Sequence, residues 1–204
     1  EIGIAAQGIY DFIWDEYCDW YIEIVKSRIF GDDESSNHTA QNVLSFVLKN
    51  ILKLLHPFMP FITEEIWQNL PNNSKALIIN DWPKYNSDLE YKESEAAIEY
   101  IKTAIKAIRN ARAEMNVAPS RKANIIFVTK DNNIKEIVET GRRYFLNLAS
   151  AEDIQVLDDK KNIGEDNIGV VLDRCEVFLP LKDLIDYDKE IERLEKEKEK
   201  LEGE

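Results

Sequence analysis

Two prolines three positions apart, Pro57 and Pro60, stand between strongly patterned apolar runs and force the chain to reverse. From Thr39 onward Ala40, Val43, Leu44, Val47, Leu48, Ile51, Leu54 and Leu55 recur at three- and four-residue spacing, which predicts an amphipathic helix. That helix has to stop near His56, because Pro57 disfavours helical geometry in the residue before it and donates no backbone hydrogen bond. Pro60 suits the first turn of another helix, where a missing N–H is harmless, and Phe61, Ile62, Ile66, Trp67 and Leu70 supply its apolar side until Pro71.

Two more runs share this period. Between Ala5 and Arg28 the residues Ile9, Phe12, Ile13, Tyr17, Trp20, Tyr21 and Ile24 make one broad helical face, followed by a polar loop over 31–37. After a loop over 72–87, with a short extended stretch expected at Ala76–Ile79, the sequence Ser87-Asp88-Leu89-Glu90 has the form of a capping box. It predicts the start of a long helix carrying Ile98, Ile101, Ile105, Ile108 and Met115 on one face. Four helices joined by short or moderate loops are the material of an antiparallel bundle, expected over 1–120.

Beyond Pro119 the period changes. Ile125–Val128 is β-rich, Asn132–Thr140 is helical with Gly141 as its C-cap, Arg142–Leu148 adds a turn or two, and Ile154–Leu157, Val170–Leu172 and Cys175–Leu179 read as strands. A small α/β unit is expected over 121–181. From 182 to 204 the chain is charged and helical, with Ile191, Leu194, Lys198 and Leu201 at coiled-coil steps, as in the first arm of a truncated helical hairpin. The fold class is therefore mainly α: an antiparallel helix bundle, then a small α/β unit and the start of a coiled coil.

Composition bounds the function classes. With 44% hydrophobic and 32% charged residues the 204-residue chain is a globular, helix-rich protein. Two cysteines, Cys18 and Cys175, fit a reducing compartment and read as small buried hydrophobes. The absence of a long apolar run or a signal-type N-terminus sets the expectation of a cytoplasmic protein without membrane contact. The chain starts without Met and ends inside a charged helical pattern, so it reads as a piece of a longer polypeptide.

Chemistry of the usual catalytic kinds is missing from the sequence. His38 and His56 have no second ligand at metal-binding spacing, no Gly-x-Gly occurs, and no carboxylate pair stands apart from the solvated helix faces. The expectation is no catalytic residue, no metal site and no cofactor in this chain. A formal charge of -13 speaks against nucleic acid. That charge is uneven, however. Between positions 102 and 122, Lys102, Lys106, Arg109, Arg112, Arg121 and Lys122 face only Glu114, and the steps 102, 106, 109, 112 put four cations along one helix face. Such a row is a candidate phosphate track, or equally a solvated face. The aromatic-rich first helix carries Phe12 and Trp14, rings on which unstacked bases could be held.

Two segments resemble a known family: Ile9-Tyr10-Asp11-Phe12-Ile13-Trp14-Asp15-Glu16-Tyr17-Cys18-Asp19-Trp20-Tyr21-Ile22-Glu23, and Leu54-Leu55-His56-Pro57-Phe58-Met59-Pro60-Phe61-Ile62-Thr63-Glu64-Glu65-Ile66-Trp67. They are similar to the anticodon-binding helical domain of class I aminoacyl-tRNA synthetases for branched aliphatic amino acids. The stretch Ile108–Lys122, with the α/β unit and coiled-coil start behind it, is similar to the valine-specific branch rather than the isoleucyl or leucyl one. The resemblance implies a parent ligase that uses ATP and Mg to join valine to its tRNA, with none of that chemistry in this piece. It implies tRNA as the partner, met through the anticodon stem-loop by a monomer.

On this reading Lys106, Arg109, Arg112, Arg121 and Lys122 hold stem phosphates, while Asn116 and an edge ring, Phe12 or Trp14, meet anticodon bases. A rival reading takes the piece as a structural or protein-docking module, with Arg112 paired to Glu64 or Glu65, and a third takes it as the equivalent domain of an isoleucyl or leucyl enzyme. The acidic ends predict weak RNA binding by this piece alone.

Overall fold

The structure is a computed structural model that describes residues 1–71, 75–161, 163–164 and 166–184. The coiled coil expected from position 182 lies, beyond Leu184, outside the described residues. The chain divides into two compact units, Glu1–Glu90 and Tyr91–Glu204. The boundary expected at 120 lies within the second.

The first unit is helical. A continuous helical rod opens with α1 (Ile2–Asp11), widens to π-type winding over Phe12–Ile22 and closes with α2 (Glu23–Ile29). Its large rings follow the stripe read from the sequence: Tyr17 and Trp20 are buried, and Tyr17 Oη donates to the carbonyl of Leu44 at 3.1 Å, pinning the rod to the helix that follows. The helix α3 (Glu34–Leu55) begins earlier than expected, because Asp33 caps it by accepting from the N–H of Ser36. Pro60 opens α4 (Pro60–Asn69) at its first turn, as the proline pair requires. Leu52, Trp67 and Leu77 form a small core, with Trp67 Nε1 donating to the Lys75 carbonyl at 2.9 Å.

Two expectations here are corrected. Ala76–Ile79 is not extended: Leu77–Ile79 is a single 3₁₀ turn whose Leu77 drops into that core. The capping box at Ser87 does not form either. Asn86 accepts from the N–H of Asp88 to cap a short 3₁₀ turn, Ser87–Leu89, and Tyr85 Oη donates to the Glu90 carboxylate. The helix α5 (Lys92–Glu114) then starts after Tyr91 without a side-chain cap.

The second unit packs α5 against a four-stranded sheet of order β2-β1-β4-β3. Strand β1 (Ala123–Val128) pairs in parallel with β2 (Ala151–Leu157), and α6 (Asn132–Thr140) with α7 (Arg142–Leu148) form the crossover that a parallel pair needs. Strands β3 (Asn167–Leu172) and β4 (Cys175–Pro180) are a hairpin added antiparallel to β1, and α8 (Leu181–Leu184) follows. Ile125, Phe127, Val177 and Leu179 point into a core shared with Ile105, Ile108, Val138 and Phe145. The rings of Phe127 and Phe145 meet at 5.0 Å, tilted by 59°, the geometry that aromatic quadrupoles favour. Gly141 lets this crossover close on α5, since a Cβ there would stand 2.6 Å from Ile101 Cδ1 and 2.9 Å from the Ile137 carbonyl oxygen.

Candidate nucleic-acid interface

The basic segment sits on α5 and the turn after it, where the helix meets the edge of the sheet. Asn116 adopts φ 52°, a left-handed conformation that Asn tolerates better than most residues, and so ends the helix. Arg112 holds the turn together from beneath. It is only 5% exposed, and its Nη2 donates to the carbonyls of Ala118, at 3.4 Å, and of Arg121. Its Nη1 meets no acceptor among the described residues, and burial pushes the guanidinium pKa below its ordinary value.

Four cations were expected along one face, and here the structure corrects the sequence. Lys102 is 4% exposed and bound to Glu99 at 2.8 Å, and Arg112 is buried, so only Lys106 and Arg109 of that row are exposed. Helical phase gives the reason: ten residues at 3.6 per turn leave Arg112 about 80° short of three full turns, which swings it toward the side that Ile105 and Ile108 bury. Arg109 directs its Nε to the Leu148 carbonyl at 2.7 Å, lying over the end of α7.

Arg121 is half-buried. Its Nε donates to the Asp183 carbonyl at 2.5 Å, while the Asp183 carboxylate accepts from the backbone N–H and side-chain amide of Asn124 at 3.2 and 2.9 Å. Lys122 is exposed beside it. Between Arg109, Arg112, Pro119, Asn147 and Ser150 lies a concavity of about 360 Å³. Ser150, at φ 52°, anchors its rim by donating to the Pro119 carbonyl at 2.8 Å. Asn147 and Ser150 were not singled out from the sequence, and no local signal could have found them, because only the crossover brings them to Arg109.

Phe12 and Trp14 belong to the first unit, where they are 45% and 52% exposed, and Tyr10 lies 6.2 Å from Trp14, ring centre to ring centre. Cys175 is buried as expected of a small hydrophobe, whereas Cys18 is half-buried. Among the described residues no group of three or more His, Cys, Asp or Glu could hold a metal ion, and no helix is long and apolar enough to cross a membrane.

In the chain a helical unit is followed by a sheet-backed helix with a cationic turn, and comparison with known proteins supplies the class. Residues 1–127 match the family model of the anticodon-binding domain of tRNA ligases, and the chain belongs to that family. Its relatives are narrower still in kind. It is 50% identical to a valine–tRNA ligase of Clostridium acetobutylicum and 47% identical to that of Clostridium perfringens, in each case over the whole chain and 23% of the relative. The valine–tRNA ligase of Listeria innocua is 40% identical over 98% of the chain and 23% of its own length. The chain thus spans about a quarter of the length of the relatives it matches.

Proposed function

We propose that the chain is the anticodon-reading part of a valine–tRNA ligase, whose remaining three quarters activate valine with ATP and Mg and join it to tRNA. The observation that carries this reading is the family match together with similarity to valine–tRNA ligases over the whole of this chain. The reading includes a division of labour. Lys106, Arg109, Arg121 and Lys122 meet stem phosphates; Arg112, held inside, positions the turn that presents Asn116, Arg121 and Lys122. Asn116 and one exposed ring, Phe12 or Trp14, meet unstacked bases. Phosphate contacts give affinity, and the bases give the choice of tRNA.

A mobility-shift titration at low salt tests it. The chain is expected to bind a valine tRNA anticodon stem-loop more tightly than the same hairpin with an altered anticodon, and equal binding to both refutes base reading. A second reading, protein docking, draws on the outer side of α4, where Phe61 is 89% exposed beside Phe58, Met59 and Ile62. It predicts no shift with either hairpin.

A further inference from the structure

The two edges of the sheet in the second unit are built differently. At β2 the exposed carboxylates Glu152 and Asp153 line the strand, and Arg142 Nη2 occupies the Ile154 carbonyl at 2.8 Å, which blunts that edge against another strand. At β3 the six residues Asn167–Leu172 carry no charge, and Val171 is 80% exposed. The Leu181 N–H donates to the Asp166 carbonyl at 3.1 Å, and antiparallel alternation from that bond turns the backbone groups of Ile168, Val170 and Leu172 toward β4. The N–H and C=O groups of Asn167, Gly169 and Val171 therefore face away from β4, and among the described residues no strand pairs with them. Gly169 has no internal reason to lack a side chain. Its φ is not positive, a Cβ there would meet only the Phe178 ring at an ordinary 3.5 Å, and the pairing with β4 runs through it without a bulge. A glycine so placed on an edge strand lets another backbone come close.

The ends of this strand specify what pairs with it. Asp166 precedes it and Arg174 follows it, four residues to either side of Val170. About a two-fold axis at Val170 a second β3 runs antiparallel, sets Gly169 opposite Val171 with their outward groups in hydrogen-bonding phase, and puts each Asp166 opposite an Arg174. Arg174 gives Nε to Asp173 and Nη1 to Asp131, so among the described residues Nη2 remains for an incoming carboxylate. We propose that β3 is a self-complementary edge that pairs with β3 of a second copy, joining two four-stranded sheets into one. The chain then self-associates where the resemblance alone implies a monomer.

Sedimentation velocity on the 204-residue chain at low salt, across a dilution series, tests this, with a urea midpoint for each variant to confirm folding. The wild type is expected to pass from monomer to dimer as concentration rises. Val171→Pro removes an N–H that no bond within the sheet uses, so the fold is kept and the dimer is lost. Asp166→Arg and Arg174→Asp each set like charges against each other twice per dimer, which weakens association about tenfold. Mixed in equal amounts, these two variants associate again, because each arginine then meets an aspartate, and a folding defect gives no such rescue. A wild type that stays monomeric at every concentration, whether its edge is open or covered by another part of the chain, overturns the pairing. A dimer that folded Val171→Pro leaves intact overturns it too, as do single charge reversals that are neutral alone and gain nothing on mixing.

Discussion

Replacing Arg112 and Lys106 by alanine separates a residue that shapes the basic turn from one proposed to meet a phosphate. Arg112→Ala removes a guanidinium that is 5% exposed and donates to the carbonyls of Ala118 and Arg121. Hydrogen bonds from charged donors contribute about 1.5–3 kcal/mol each, but the 3.4 Å bond to Ala118 is long and belongs at or below the bottom of that range. Against the loss stands relief of a buried charge whose Nη1 has no acceptor among the described residues. The balance is a destabilisation of about 2 kcal/mol. With a slope of about 2–3 kcal/mol per molar urea, the circular-dichroism midpoint falls by somewhat under 1 M. Arg112→Met, which keeps the stem packed, should lose about half as much. Lys106→Ala is exposed and should hold stability within about 0.5 kcal/mol. Its effect appears in RNA binding, where loss of one phosphate contact makes the slope of log affinity against log salt shallower by about 0.7–0.9. The outcome that refutes the division is an unmoved urea midpoint in Arg112→Ala together with a salt slope shallower by that amount.

Two further predictions concern the scaffold. Gly141→Ala should destabilise the second unit by about 1–3 kcal/mol, since the new Cβ would stand 2.9 Å from a backbone oxygen that cannot rotate away. Adding Ile101→Val relieves only the side-chain part of the clash, and a neutral single variant in urea unfolding refutes the close approach. Glu64 is held below the usual carboxylate range by the Gln68 amide first, then by the Leu77 backbone N–H, with His56 adding attraction. A carboxylate depressed on folding contributes stability above its unfolded pKa, about 4.3, and that contribution is lost as pH falls through its lower folded value. Glu64→Gln is thus less stable than wild type near neutral pH, with the difference shrinking below about pH 4. A pH-independent difference in urea midpoint contradicts this.

How far the sequence could be read depended on how local the controlling physics is. The Pro57–Pro60 reversal, the stripe through Tyr17 and Trp20, and the strand at Ile125–Val128 are set within a few residues, and each forms as its pattern requires. The capping box at Ser87 failed for an equally local reason, competition from Asn86 and Tyr85, which a motif match does not weigh. Packing partners are a different matter. The apolar stripe of α5 says that one side is buried but not against what, and the structure sets it on a sheet assembled from residues up to 80 positions later.

The basic window shows why charge counting alone misreads such a chain. Six cations against Glu114 put four in a row on one helix face, yet Lys102 and Arg112 are inside, each with a structural duty. Elsewhere in the second unit Lys135, Arg142, Lys160 and Arg174 stand against Asp158, Asp153, Glu176 and Asp131, so the net charge of -13 coexists with cations already engaged by carboxylates. Among the described residues the cations form no uniform basic field, so on the proposed tRNA reading affinity comes from a few placed contacts. Few phosphate contacts mean a shallow salt dependence, and base contacts, whose strength does not follow counterion release, carry a larger share of the binding. On the proposed tRNA reading the chain should accordingly discriminate between anticodons even where its overall affinity is low, and that discrimination should survive an increase in salt that erodes the affinity itself.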